Sequence, residues 1–332
     1  MKKILCILFT LLIAFPLFCC GRETNNPPDP TDTEQPTSPP ASDETIETAE
    51  DLNNIINEID DDSDILEVMI FDAGKADAIL ITTENHAVII DTGENEHGQI
   101  ITDYLLSRNI HSIDYLIITH FHKDHVGGAE TVIKNFAVKE VIVPNYGKNS
   151  KRYNKFIEAM QEAGLESIIL TETMEFNLDS AKFTVYPSGQ EYYDYSDTGD
   201  NDDYEDDEND DDISVNENNF SVVVSIDHGE NNFLFTGDAK AKRLKELLLT
   251  DDIINTKYDF LKFPHHGRYN KRVVDFIYAV NPEYAVITCS IDSPADDRVV
   301  DALKEIRAKI YFTSNGNAYC KSDGNDLILS YE

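Results

Sequence analysis

"IITHFHKDHVGGAE", residues 117–130, places three of the chain's nine histidines and one aspartate within six positions, 120–125. An apolar run, "YLIIT", leads into it. A buried strand that ends abruptly delivers the next few side chains into one loop. A loop this compact directs residues 120, 122 and 124 one way and 125 another. Neutral imidazoles beside a carboxylate suit a borderline ion such as zinc, with manganese or iron as alternatives. His120, His122, Asp124 and His125 cannot by themselves satisfy two ions, so further ligands are expected at other strand ends.

The sequence supplies them. "NNFLFTGDA" places Asp238 after an apolar run, "YDFLKFPHHG" places His265 and His266, and "AVIIDTG" places Asp91. Taken singly, Gly-Asp, Asp-Thr-Gly and His-Gly are turn signals. Four strand ends that each carry an Asp or a His point to a metal centre.

From residue 67 onward, short apolar runs alternate with turn signals and helical spacings. Strands are expected in "ILEVMIFDAG", "DAILITTENHAVIIDTG", "IDYLIITH", "VKEVIVPN", "ESIIL" and "AKFTVYPSG". Later ones are expected in "FSVVVSIDHGENNFLFTGD" (a hairpin turning at "HGEN"), "YDFLKFPHHG", "PEYAVITCS" and "AKIYFTSNGNAYCKSDGNDLILSYE". Helices are expected in "HGQIITDYLLSRN", "GGAETVIKNF", "KRYNKFIEAMQEAG" closed by Gly164, "AKAKRLKELLLT" and "DDRVVDALKEIRA". Strand runs followed by strand–helix alternation, twice over, describe an α/β protein whose sheets carry helices on their outer faces.

On "MIFDAGKADAILI", "VIIDTG", "THFHKDHVGG", "NNFSVVVSIDHGENNFLFTGDA", "DFLKFPHHG" and "PEYAVITCS", residues 67–332 resemble the metallo-β-lactamase fold superfamily. Within it they resemble the subgroup found as the C-terminal domain of ComEC-type DNA-uptake proteins. The resemblance implies an αββα four-layer sandwich with two metal ions, zinc or manganese, at one edge of the sheets. By position it implies that His120 and His122 bind the first ion, that Asp124, His125 and His265 bind the second, and that Asp238 bridges them. Asp91 takes a buttressing place behind the ligands, and His266 faces the substrate. Many hydrolases of the superfamily bring a third histidine to the first ion, and residues 213–221, "ISVNENNFS", contain none. The first ion is therefore expected to be held more weakly. Where the subgroup has Gln-Gly, "DAGKADA" has Lys75 and Ala76.

Such a site implies hydrolysis by a water shared between two ions. Asp124 or Asp238 would accept a proton and His266 would donate one to the leaving group. A phosphodiesterase or nuclease-type activity is expected, and the missing histidine argues against a lactamase. The alternatives are amide or ester hydrolysis, or a non-catalytic surface protein whose acidic insertion binds Ca²⁺ or a basic partner.

The termini and charge set the context. "MKKILCILFTLLIAFPLF" reads as an export signal, too short for a stable membrane span. It ends in "LFCCG", which resembles a lipobox, so residues 1–19 are expected to be a lipoprotein signal peptide. Cys20 is the expected lipidated residue, with Cys19 as the alternative. Residues 20–66 hold 14 acids and one arginine, and their proline-rich start reads as a disordered tether on an extracytoplasmic membrane anchor. A second acidic run, 191–212, holds 13 acids and no base, and reads as a loop insertion. The formal net charge is −36. That sign opposes tight nucleic-acid binding and favours a small or cell-envelope phosphodiester as substrate. Cys289 and Cys320 lie in apolar runs and read as small buried residues rather than a disulfide.

Overall fold

A computed structural model describes residues 64–194 and 216–332. The export signal, Cys20, nearly all of the expected tether and most of the acidic insertion lie outside these residues. The chain opens with β1 (Leu66–Ile70), β2 (Ala78–Thr82) and β3 (Ala87–Thr92), followed by α1 (His97–Ser107), β4 (Ser112–Ile117), α2 (Lys123–Val126) and α3 (Ala129–Asn135). Then come β5 (Ala137–Val143), β6 (Tyr146–Gly147), α4 (Lys151–Ala163), β7 (Ser167–Ile169), β8 (Met174–Leu178), β9 (Ala181–Tyr186) and β10 (Tyr193–Asp194). After a 3₁₀ turn, Glu217–Phe220, follow β11 (Val223–His228), β12 (Asn231–Phe235), α5 (Ala241–Leu247), α6 (Asp251–Ile254) and β13 (Phe260–Lys262). The chain closes with α7 (Val273–Val280), β14 (Tyr284–Ile287), α8 (Asp297–Glu305), β15 (Lys309–Phe312), β16 (Ala318–Ser322) and β17 (Leu327–Tyr331).

The strands form an eight-stranded sheet, ordered β17-β16-β1-β2-β3-β4-β5-β7, and a seven-stranded sheet, ordered β15-β14-β13-β12-β11-β9-β8. Period-2 alternation decides which side each residue serves. On β12, Phe233 and Phe235 enter the core shared by the two sheets, whereas Leu234 enters the core beneath the second sheet's helices. On β1, Val68 and Ile70 join the shared core and Met69 joins the core beneath the first sheet's helices. Three stacked cores require four layers, so the architecture is the αββα sandwich. The hairpin expected at "HGEN" is present: His228 pairs with Asn231, and Gly229 turns the chain at φ 61°.

Helix faces follow the same logic. α4 is capped by the Ser150 hydroxyl, which accepts from Tyr153 N–H, and is closed by Gly164 at φ 69°. It buries Phe156, Ala159 and Met160. α7 falls outside the expected elements, although it buries Val273, Phe276, Ile277 and Val280 at i, i+3, i+4 and i+7. Cys289 and Cys320 are both buried and free, in two different cores. No helix among the described residues is long and apolar enough to cross a membrane.

In each sheet the central strands run parallel: β3-β4-β5-β7 in the first and β12-β13-β14-β15 in the second. Their carboxyl ends therefore lie along one edge of each sheet, where open α/β sheets leave a crevice.

Candidate metal centre

Each candidate residue leaves the carboxyl end of a strand: Asp91 at the end of β3, residues 120–125 after β4, Asp238 after β12, and His265–His266 after β13. The cluster after β4 is not one extended loop. His120 and His122 precede α2, whereas Asp124 and His125 lie on its single turn, because His125 N–H and Val126 N–H both donate to His122 O. A helical turn swings Asp124 onto the same side as His125, which differs from the alternation expected of extended backbone.

Asp124, His125, Asp238 and His266 offer ligand atoms that all lie within 4.8 Å of one another. His125 Nε2 lies 3.2 Å from Asp238 Oδ2. His266 Nε2 lies 3.1 Å from the same oxygen and 3.5 Å from Asp124 Oδ2. Of the two adjacent histidines, His266 rather than the expected His265 joins this group. Its other nitrogen, Nδ1, faces the Thr288 hydroxyl at 3.0 Å. Its Nε2 thus faces the two carboxylates of this group. His265 points instead to Asn218, with Nε2 3.2 Å from Nδ2.

The backbone turns sharply at these two residues. His265 and His266 take φ of 50° and 53°, and Gly267 follows at 75°. A left-handed turn of this kind costs a non-glycine residue roughly 1–2 kcal/mol. His265 N–H recovers a bond to Gly237 O at 3.2 Å, and Arg268 N–H one to His265 O at 2.9 Å. At Gly267, a Cβ would stand 2.7 Å from Ala295 Cβ, so no side chain fits there.

His120 approaches Asp238 Oδ2 at 3.9 Å. His122 faces a residue absent from the expected set, Glu217, whose Oε2 lies 3.9 Å from its Nε2. The buried atoms left without a hydrogen-bond partner include the Nε2 atoms of His120, His125 and His266 and Asp238 Oδ1. Four orphaned donor atoms at one place are rarely left so in a folded chain, and each is of a type that ligates divalent ions. The residue set fits a metal centre.

Behind these atoms stand side chains that fix their direction. Asp91, at φ 57°, accepts from Thr119 N–H at 2.8 Å and from the Thr119 hydroxyl at 2.6 Å, and its Oδ2 is 2.7 Å from His125 Nδ1. That contact aims His125 Nε2 at the centre. Asp77 does the corresponding work for His266. Its Oδ1 accepts from the Thr288 hydroxyl at 2.7 Å, and its Oδ2 accepts from the fully buried Lys262 ammonium. Its backbone ties in two other loops, with its N–H donating to Asp124 O at 3.1 Å and its carbonyl accepting from Gly93 N–H. Sequence reasoning passed over Asp77, Lys262, Thr288 and Glu217. Asp77 sits in the "DAGKADA" stretch, where attention fell on Lys75 and Ala76, and a lysine within an apolar strand carries no motif of its own. Lys75 itself is half-buried.

Burial opposes charge throughout the site, and neighbouring groups of opposite sign act against it. Burial pushes the His125 imidazolium down, but the Asp238 and Asp91 carboxylates raise its pKa well above the ordinary histidine value. His266 is likewise raised against burial, by Asp238, Asp124 and Asp77. Asp238 stays far below the usual carboxylate range, because His266 and His125 outweigh its burial. Burial, with His125 and His122 nearby, lowers the His120 pKa.

The sequence signature of the Metallo-beta-lactamase superfamily matches residues 72–290. This chain belongs to that superfamily. It is 25% identical over 242 residues to ComE operon protein 3 of Bacillus subtilis, covering 67% of this chain and 28% of that protein. It is 25% identical over 225 residues to Recombination protein 2 of Haemophilus influenzae, covering 65% of this chain and 23% of that protein. The matched region thus spans about a quarter of each relative. A solved metal-dependent hydrolase of the beta-lactamase superfamily is 13% identical, with a TM-score of 0.46, covering 80% of this chain and 100% of that one.

Two outcomes follow from this geometry. Lys262→Met strands the Asp77 carboxylate in the interior, so urea unfolding should show a loss of about 3–5 kcal/mol; an unchanged midpoint contradicts the pairing. Because His125 and His266 hold protons to raised pH, a divalent ion must displace them. Titration calorimetry of chelator-stripped protein should therefore show proton release on metal binding, and affinity that falls as pH drops below the raised histidine pKa values. Binding that is independent of pH and buffer contradicts the assignment.

Proposed function

We propose that this chain is a metal-dependent hydrolase of phosphodiesters, anchored outside the cell by a lipid on Cys20. The observation that carries the hydrolase is the convergence of Asp124, His125, Asp238 and His266 at one sheet edge with the Nε2 atoms of both histidines unpartnered. These four residues would hold one ion, and His120, His122 and Asp238 would hold a second. Divalent ions bound there supply a water of lowered pKa and stabilise the charge that develops on the attacked group.

The chain's own residues prepare the rest. Asp91 and Thr288 orient His125 and His266 from behind. The Asp124 side chain is 16% exposed against 3% for Asp238, so of the two carboxylates it stands nearer the opening. That position suits it to accept a proton from the attacking water. The phosphodiester class is supported by the similarity to Recombination protein 2 of Haemophilus influenzae, and the absence of a histidine in 213–221 argues against a lactamase. The net charge of −36 favours a small or envelope-borne substrate over a long polyanion.

With zinc or manganese supplied, the protein should hydrolyse bis-(p-nitrophenyl) phosphate. His266→Ala should lower that turnover by at least about 100-fold. Turnover of an aryl ester or a lactam with none of the diester would replace the substrate class, and inertness toward all three contradicts the hydrolase. The anchor rests on the apolar run of residues 4–18 followed by Cys19 and Cys20. Mass spectrometry of the mature protein should find a lipid-modified cysteine at its N-terminus; an unmodified N-terminus beyond Cys20 contradicts it.

A further inference from the structure

Glu217 opens the 3₁₀ turn Glu217–Phe220 and is 7% exposed. A carboxylate so buried must be paired. Its Oε1 accepts from the Lys148 ammonium at 2.7 Å, and the Lys148 side chain is itself only 3% exposed. Its Oε2 accepts from the Tyr146 hydroxyl at 3.1 Å. That hydroxyl in turn accepts from Phe121 N–H at 2.6 Å, the peptide between His120 and His122. One phenol thus fixes both the carboxylate and the backbone that carries the two histidines. The remaining direction of Oε2 leads to His122 Nε2, 3.9 Å away.

The next residue, Asn218, is 1% exposed and leaves its Oδ1 without a hydrogen-bond partner. Its Nδ2 meets His265, while His120 Nε2 nearby is also unpartnered. The segment that lacks a third histidine therefore holds a buried, oriented carboxylate instead.

We infer that Glu217 is a protein ligand of the first metal ion, completing a set with His120, His122 and Asp238. The inference rests on the reading of the site as a metal centre and goes beyond it. Lys148 and Tyr146 hold the carboxylate in place, with Oε2 on the side of His122. A second carboxylate oxygen beside Asp238 makes this site richer in oxygen than a set of three histidines, and so shifts its preference toward harder ions.

The test is binding of Co²⁺ and Zn²⁺ to the full chain, read by calorimetry and by the visible Co²⁺ spectrum. The wild-type protein should take two equivalents. In Glu217→Gln, one equivalent should weaken by about tenfold or more while the other holds its affinity. The Co²⁺ bands of the weakened equivalent should change with its ligand set. Two wild-type affinities and an unchanged spectrum overturn the inference and leave Glu217 as a packing residue. A wild-type chain that binds no ion removes the metal centre itself, a different failure. Where Glu217→Gln does not fold, Glu217→Asp is read in its place: a weakened equivalent with altered bands supports the ligand, and an unaltered one overturns it.

Discussion

The buried pair of Asp77 and Lys262 joins the two halves of the sandwich at the edge where the site forms. Asp77 comes from the loop before β2 in the first sheet, and Lys262 closes β13 in the second. Two charges taken out of water oblige the loops that carry them to meet, since either one alone in that interior costs several kcal/mol. Once they meet, the Asp77 backbone bonds to Asp124 and Gly93, and its second oxygen reaches Thr288 and through it His266. Loops after four different strands are thereby fixed relative to one carboxylate. Asp91 performs the same service for His125 and Thr119 within the first sheet alone.

Much of this was legible in the sequence, for physical reasons. The αββα layering follows from period-2 and 3.6 spacings that must each bury a face. The site's location follows from Asp and His residues that all stand just past apolar strands. The strand ends at Asp91, Asp238 and the His120–His125 cluster are where such reading expected them. What the sequence concealed depends on backbone direction and on partners far along the chain. Nothing local distinguishes His265 from His266; the left-handed turn through both decides which ring meets Asp238. Asp77 and Lys262 are 185 residues apart, so only the fold pairs them. Glu217 stands in an Asn-rich stretch with no histidine beside it, although a carboxylate is an equally good ligand type. The apolar residues of α7 follow closely on the His265–Gly267 turn, which obscures their helical spacing.

The site also shows how an acidic protein can concentrate positive charge where it needs it. The carboxylates of Asp238, Asp91 and Asp124 raise the pKa values of His125 and His266 although each ring is buried. The same carboxylates and rings that balance one another become the donor set of an ion once the protons leave. The backbone strain stored at Asp91, His265 and His266 lies in the same few residues, as expected where surrounding structure over-determines geometry for function.

The most direct measurement is a zinc-edge anomalous difference map from crystals of the zinc-loaded protein. The account predicts an ion within about 2.0–2.2 Å of donor atoms from Asp124, His125, Asp238 and His266 together, with His265 outside its shell. An ion held by His265 while His266 turns away, or no ion at this edge, would contradict it.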